Sequence, residues 1–230
     1  MLGKKRKVWG IDRQVLEMVN ESAKQSLPNE FVAAMRAEVT GGQYLDITAQ
    51  TRQPLDARSD PESVLAQVRR VVEYKTARYT VVRPLQIGAA LGGAGPELLA
   101  ALGSYGSPLG RAFQYRDDVL GVFGDEAVTG KPAGDDLREG KLTVLIAKAM
   151  GAASEADAAR LDLLLGTQLS LDDVAEARGI ISGSGALAAT EREIEDAASE
   201  ALSSLESAGI AAPARDGLRR LAGLASQREA

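Results

Sequence analysis

Between residues 187 and 205, Leu187, Thr190, Ile194, Ala197, Ala201, Leu202 and Leu205 recur every three or four positions, the stripe of an amphipathic helix. Almost no Val/Ile alternation of the strand type occurs anywhere else. With 45% apolar residues, rich in Ala and Leu, and only 4% aromatics, this pattern points to an all-α protein. The stripe itself is expected to serve core or dimer packing. At 230 residues the chain can bury one sizeable core, and no Pro/Gly/Ser linker divides it.

Local signals place the helices. Ser59-Asp60-Pro61-Glu62 combines a capping side chain with proline in the first turn and predicts a helix start, running toward Lys75. Pro84 and the GGAG at 92–95 are expected to interrupt the next segment. A further helix is predicted through Phe113 to Val119, then a Gly/Pro loop over 124–140, then a helix from Lys141 to near Met150.

Composition excludes several function classes. There is no cysteine, so neither disulfides nor thiolate metal sites can form, which suits a reducing cytoplasm. No apolar run approaches the roughly 20 residues that span a bilayer. The net charge is −5, and residues 151–230 hold 7 basic and 14 acidic groups, leaving the first part of the chain the more basic. That balance suits small anionic ligands and gives no support for nucleic-acid binding. The opening GKKRK carries four positive charges with no apolar stretch behind it, so a secretory signal is not expected. A solvated terminus, a basic targeting run, a fortuitous start upstream of a truncated reading frame, or a segment faintly similar to a GGKR substrate-binding run remain as readings.

The chemistry concentrates in FQYRDDVLGVFGDEAVTGKPAGDDLREGKLT, residues 113–143. Asp117 and Asp118 are adjacent acids in a stretch whose apolar residues predict burial. Two buried carboxylates repel each other, and a hard divalent cation such as Mg2+ resolves the repulsion while completing its shell with water and phosphate oxygens. Gln114 lies one turn earlier on the same face. Lys131 and Lys141 sit in glycine-rich segments, TGKPAGDD and EGKLT, that can bring ammonium and backbone N–H groups to an anion. Acids for a metal and lysines for a phosphate describe half of a magnesium–diphosphate site.

These residues, in this order, resemble the second aspartate-rich motif of the trans-isoprenyl diphosphate synthases (polyprenyl synthetases), most like the bacterial geranylgeranyl and farnesyl diphosphate synthases. GGQYLDI at 41–47, EYKTARYTVVRPLQIGAALGGA at 73–94 and GSYGSPLGRAFQ at 103–114 are similar to upstream segments of that family. The resemblance covers roughly residues 31–225, leaving 1–30 as an atypical N-terminal segment before a synthetase-like helical domain at 31–230. It implies an isoprenoid-synthase-like helical bundle, truncated at its N-terminus, working as a homodimer. The implied activity is Mg2+-dependent prenyl transfer, condensing isopentenyl diphosphate with an allylic diphosphate.

Carried over by position, the resemblance implies that Asp117 and Asp118 hold the metal and that Lys75, Thr76, Gln114, Lys131 and Lys141 meet the diphosphate, with Gln43 and Asp46 in support. Two departures stand out. Where the family pattern has a third aspartate, four residues after the first, this chain has Gly121. Asp125 is no simple substitute, since on a continuous helix it lies about 12 Å of rise beyond Asp117, and a second-layer or loop role is expected for it. The family's first aspartate-rich motif, with its arginines, its isopentenyl diphosphate-binding segment and its histidine, has no counterpart here. A partner subunit that pairs with a full-length synthase, or a fragment with no function of its own, are therefore the alternatives. Terpene cyclisation is less attractive, because it too requires the missing acids.

Overall fold

Asp60 caps the first predicted helix: its carboxylate accepts from the Ser63 N–H at 3.2 Å, with Pro61 in the first turn. The computed structural model describes residues 29–50, 54, 56–126, 130, 132 and 134–226, and among the described residues every regular element is helical. In chain order these are α1 (Asn29–Gln50), α2 (Asp56–Ser59), α3 (Pro61–Val71), the π-helix π1 (Val72–Val82), α4 (Arg83–Leu91), α5 (Pro96–Phe123), α6 (Asp135–Arg138), α7 (Val144–Ala152), α8 (Glu155–Leu164), α9 (Leu171–Gly183), α10 (Ala186–Ser207) and α11 (Ala212–Ser226). The all-α expectation holds. The basic run at 3–7 lies outside the described residues.

Pro84 does not interrupt the chain as expected. A proline inside an α-helix lacks its N–H donor and its ring presses on the carbonyl four residues back. Here the preceding turns are widened into a π-helix, in which the Arg83 N–H donates five residues back to the Arg78 carbonyl. The path α3–π1–α4 therefore runs on from 61 to 91. It is the glycines that stop it: Leu91 is the last helical residue and Gly93 takes a φ of +78°, in the left-handed region.

The helix expected over 113–119 is the end of a much longer one. α5 has 28 residues with Pro108 inside, and it packs against π1 on one side and α10 on the other. Gly106 and Gly110, which weaken a helix in isolation, serve here as contact points. A Cβ on Gly110 would stand 2.4 Å from the Ala77 Cα, and one on Gly106 would stand 3.0 Å from the Val82 Cγ2. From the other side Gly42 of α1 does the same, its imagined Cβ lying 2.6 Å from the Lys75 backbone nitrogen. The π-helix is thus gripped between glycine faces of α1 and α5. α7 starts at Val144, three residues later than expected, because Thr143 is its cap and accepts from the Ile146 N–H at 3.2 Å.

The main core gathers Val64, Val68, Val119, Val122, Ile146 and Met150 with residues of α8 to α10. A smaller one joins Tyr105, Leu109 and Phe113 to Ala201, Leu205 and Ala222, and the buried Tyr105 hydroxyl donates to the Leu218 carbonyl at 2.7 Å. Thr190, Ile194, Ala197, Ala201 and Leu205 of the α10 stripe are buried, so its role is core packing; Leu202 turns outward and is exposed. Among the described residues, no helix is long and apolar enough to cross a membrane.

Candidate functional site

Three helices bring the sequence-predicted polar residues to one region, and the π-helix supplies the first of them. Thr76, almost buried on π1, donates its hydroxyl proton to the Gln114 Oε1 at 2.7 Å. Gln114 in turn donates from Nε2 to Asp118 Oδ1 at 2.8 Å. A relay of two hydrogen bonds therefore joins the KT segment to the acid pair, and it fixes the orientation of the Gln114 amide, since its oxygen accepts and its nitrogen donates.

Asp118 is 5% exposed on the buried face of α5. Burial pushes its carboxyl up to about 8; the Gln114 hydrogen bond opposes this, the charges of Asp136 and Asp117 add to it, and Lys141 relieves it. Asp117 is half-buried beside it. The local excess is negative, the condition that a hard cation or a protonated lysine relieves.

Lysines arrive from two directions. The Lys75 ammonium, on π1, pairs with Asp46 of α1, whose other oxygen accepts from the Gln50 Nε2 at 3.2 Å. Gln43 is exposed three residues before Asp46 on the same helix. Lys141 donates to Asp136 Oδ1 at 2.6 Å and pairs with Glu139 at 2.7 Å. Burial alone would weaken its hold on the proton, but the hydrogen bonds to Asp136 and Glu139 prevail and keep the ammonium charged above the ordinary lysine range. Lys131 lies outside the described residues.

At the position of the missing third acid, the structure places a different carboxylate against Gly121. A Cβ on Gly121 would meet Asp136 Oδ2 at 2.1 Å and Cγ at 2.4 Å. Asp136, 6% exposed at the start of α6, is the site residue that sequence reasoning missed. Its signal was the acid pair of GDDLREGK, with Gly134 ahead of it taking a φ of +74°. Asp125 is exposed beyond the end of α5.

The donor chemistry fits magnesium in one respect and limits it in another. Carboxylates crowded at low exposure are hard oxygen donors whose repulsion a cation relieves. Among the described residues, however, no three acids converge closely enough to enclose a metal. The arrangement suits an ion held by few protein oxygens and completed by water and phosphate, the usual habit of Mg2+. A separate groove of about 600 Å3 opens between α3, π1, α5 and α10. Arg69 and Arg111 in its walls are already paired with Glu193 and Glu200, at 2.8 and 2.7 Å, so it offers less net positive charge to an anion than its arginines suggest.

Comparison with known proteins identifies the family. The family model described as polyprenyl synthetase matches residues 11–181. The geranylgeranyl diphosphate synthase of Saccharolobus solfataricus is 32% identical over 73% of this chain and 50% of its own length. A crystal structure of geranylgeranyl pyrophosphate synthase from Corynebacterium glutamicum, complexed with isoprenyl diphosphate and magnesium, superposes with a TM-score of 0.80 at 37% identity, covering 96% of this chain and 58% of that one. Polyprenyl synthase from Caulobacter crescentus, complexed with calcium and isoprenyl diphosphate, gives 0.76 at 29% identity, covering 94% and 62%. The chain spans about half the length of the curated relative named here.

Proposed function

The chain belongs to the polyprenyl synthetase family, and from that premise we propose that it works in Mg2+-dependent prenyl transfer, binding an allylic diphosphate whose hydrocarbon is passed to isopentenyl diphosphate with release of pyrophosphate. The observation that carries the reading is the Thr76–Gln114–Asp118 relay, because it ties the π-helix, with its lysine beside Thr76, to an acid pair of which Asp118 is buried. A structural polar cluster would not require a buried carboxyl to remain beside a half-buried one and a third acid.

Asp117 and Asp118 would hold the metal, and Lys75 and Lys141, with Lys131, would meet the diphosphate. When bound, Mg2+ neutralises the negative charge that grows on the diphosphate as the allylic C–O bond breaks. The chain's own residues do the rest. Gln114 fixes the Asp118 carboxyl through Oδ1, and Oδ2 would remain for the metal. Asp46 holds the Lys75 ammonium in place, so that little side-chain freedom is lost when an anion arrives. Lys141, kept protonated by Asp136 and Glu139, stays a cation throughout the neutral range. Preorganised charges of this kind are worth about 3 kcal/mol each in transition-state stabilisation, or a hundredfold in rate.

Incubation with Mg2+, isopentenyl diphosphate and a labelled allylic diphosphate tests the reading. Chain-elongated product is expected, in homodimeric form or in a heteromer with a full-length synthase, and both arrangements should be assayed. Product only in the mixture favours a diphosphate-binding partner subunit. Absence of elongation in both arms contradicts prenyl transfer.

A further inference from the structure

Pro84 explains one widened turn of π1, because a single proline removes a single backbone donor. It does not explain eleven residues of π-helix, since such geometry ordinarily lasts one turn. The side chains at 73, 78 and 83 supply what the proline does not. Arg78 donates from Nε to Glu73 Oε1 at 3.0 Å and from Nη1 to Glu38 Oε1 at 2.7 Å. Arg83 donates from Nε to the other oxygen of Glu38 at 2.7 Å, and its Nη2 pairs with Oε1. Glu38 comes from α1 and is 13% exposed; burial alone would push its carboxyl up, but the hydrogen bonds from Arg83 and Arg78 prevail and hold it below the ordinary range. Each step of this column is five residues long. In an α-helix, residues five apart stand about 140° apart around the axis, whereas a turn closed from i to i+5 brings them one above the other. The spacing of the charges therefore matches a π-helix and not an α-helix. At the foot of the column, Glu73 accepts from the Ser107 hydroxyl of α5 at 2.7 Å, on the helix that carries the acid pair. Lys75 and Thr76 lie inside its first step, between Glu73 and Arg78.

We propose that Glu73, Arg78 and Arg83, clamped by Glu38 from α1, form an ionic column that holds π1 in its widened form and so sets where Lys75 stands. The positioning role rests on reading the site as a magnesium–diphosphate site that Lys75 serves. Glu38 is a positioning residue: it takes both arginines at once, which only the five-residue turn allows, and it acts on the diphosphate through Lys75. Relaxation of the turn toward α geometry would carry residues 78 and 83 to different faces and rotate Lys75 relative to α4 and Gln114. Desolvated ion pairs add little net stability, and fixing a register is the use that suits them best.

Binding of inorganic pyrophosphate to the full chain is measured by calorimetry at saturating Mg2+, beside amide hydrogen exchange of the metal-free chain. The proteins compared are wild type, Glu38→Gln, Arg83→Lys, Lys75→Ala and the double variant Glu38→Gln/Lys75→Ala. Glu38→Gln keeps the shape but turns an amide N–H toward one arginine, and should weaken binding about tenfold while speeding exchange in π1 about tenfold relative to α9. Arg83→Lys is the milder change; it keeps the charge, gives up the two-pronged contact with Glu38, and should weaken binding about threefold. On the Lys75→Ala background, Glu38→Gln should cost no more than about twofold, because the group it positions is gone, whereas a merely structural role would cost about tenfold again. If Glu38→Gln and Arg83→Lys bind as wild type does, or if the tenfold loss persists in the double variant, the positioning role is overturned while the site reading stands. Unchanged exchange in π1 overturns the column itself. Wild type that fails to bind overturns the site reading and the positioning role together, and the exchange result then decides whether the column holds the π-helix.

Discussion

Replacing Gly110 by alanine is expected to lower the midpoint of thermal unfolding by about 4–8 °C, although alanine is the better helix former. The intrinsic gain for Gly→Ala is at most about 1 kcal/mol. Against it stands a methyl group 2.4 Å from the Ala77 Cα, 2.6 Å from its Cβ and 3.2 Å from its carbonyl carbon. Two of these are backbone atoms that cannot rotate aside, so α5 and π1 must separate, and overpacking of this sort costs about 1–3 kcal/mol, with more where backbones must move. The damage should reach the site as well. Ala77 follows Thr76, and Gly110 lies one turn before Gln114, so the 2.7 Å bond between Thr76 and Gln114 lengthens with the helices. Gly88→Ala serves as the control, because position 88 of α4 is exposed and nothing lies within 4 Å of its Cβ, and it should hold or raise the midpoint. Calorimetric scans of the two variants decide between them, and an unchanged midpoint for Gly110→Ala would mean that the helices are not in the contact described.

Asp118→Asn should act in two opposite directions. The metal-free chain holds a carboxyl at 5% exposure, pushed up to about 8 first by burial and further by Asp136 and Asp117, so folding must either bury its charge or protonate it. An asparagine keeps an oxygen for the Gln114 Nε2 and removes the cost of protonating or burying the carboxyl on folding, so the variant should be more stable by about 1–2 kcal/mol at neutral pH without magnesium. Its Mg2+-dependent affinity for pyrophosphate should fall about 100-fold, since the removed charge is the one that offsets the cation. Unfolding with and without 10-fold excess metal and ligand, in the sense of about ten equivalents over saturation, separates the effects: wild type gains stability on loading by mass action and the variant gains far less. A variant destabilised without metal, or one that keeps wild-type affinity, would contradict the assignment of Asp118. Strain retained where function needs it is the expected form of such a site.

What was legible in the sequence was local. Asp60 and Pro61 start a helix because capping and a preset φ act within one turn, and no partner is needed to see it. Thr76, Gln114, Asp118 and Lys141 were named from motif spacing and resemblance, and they do gather in one region. What could not be read depended on a partner element. Pro84 signals a break unless one knows that the upstream turns widen, and the widened turn is held by Gly42 and Gly110 from two other helices. Gly106 and Gly110 hide the length of α5, because their cost to a helix is intrinsic and their benefit is tertiary. Asp136 stands in the GDDLREGK run with no role legible from spacing, since its reach into the notch at Gly121 exists only once α6 folds back onto α5.

The most direct test is calorimetric titration of inorganic pyrophosphate into the wild-type chain, with and without saturating Mg2+, and into Asp117→Ala. One-site binding that requires magnesium and falls about 100-fold in Asp117→Ala is the predicted result. Binding that is absent, indifferent to magnesium, or untouched by Asp117→Ala would contradict a magnesium–diphosphate site at this acid pair.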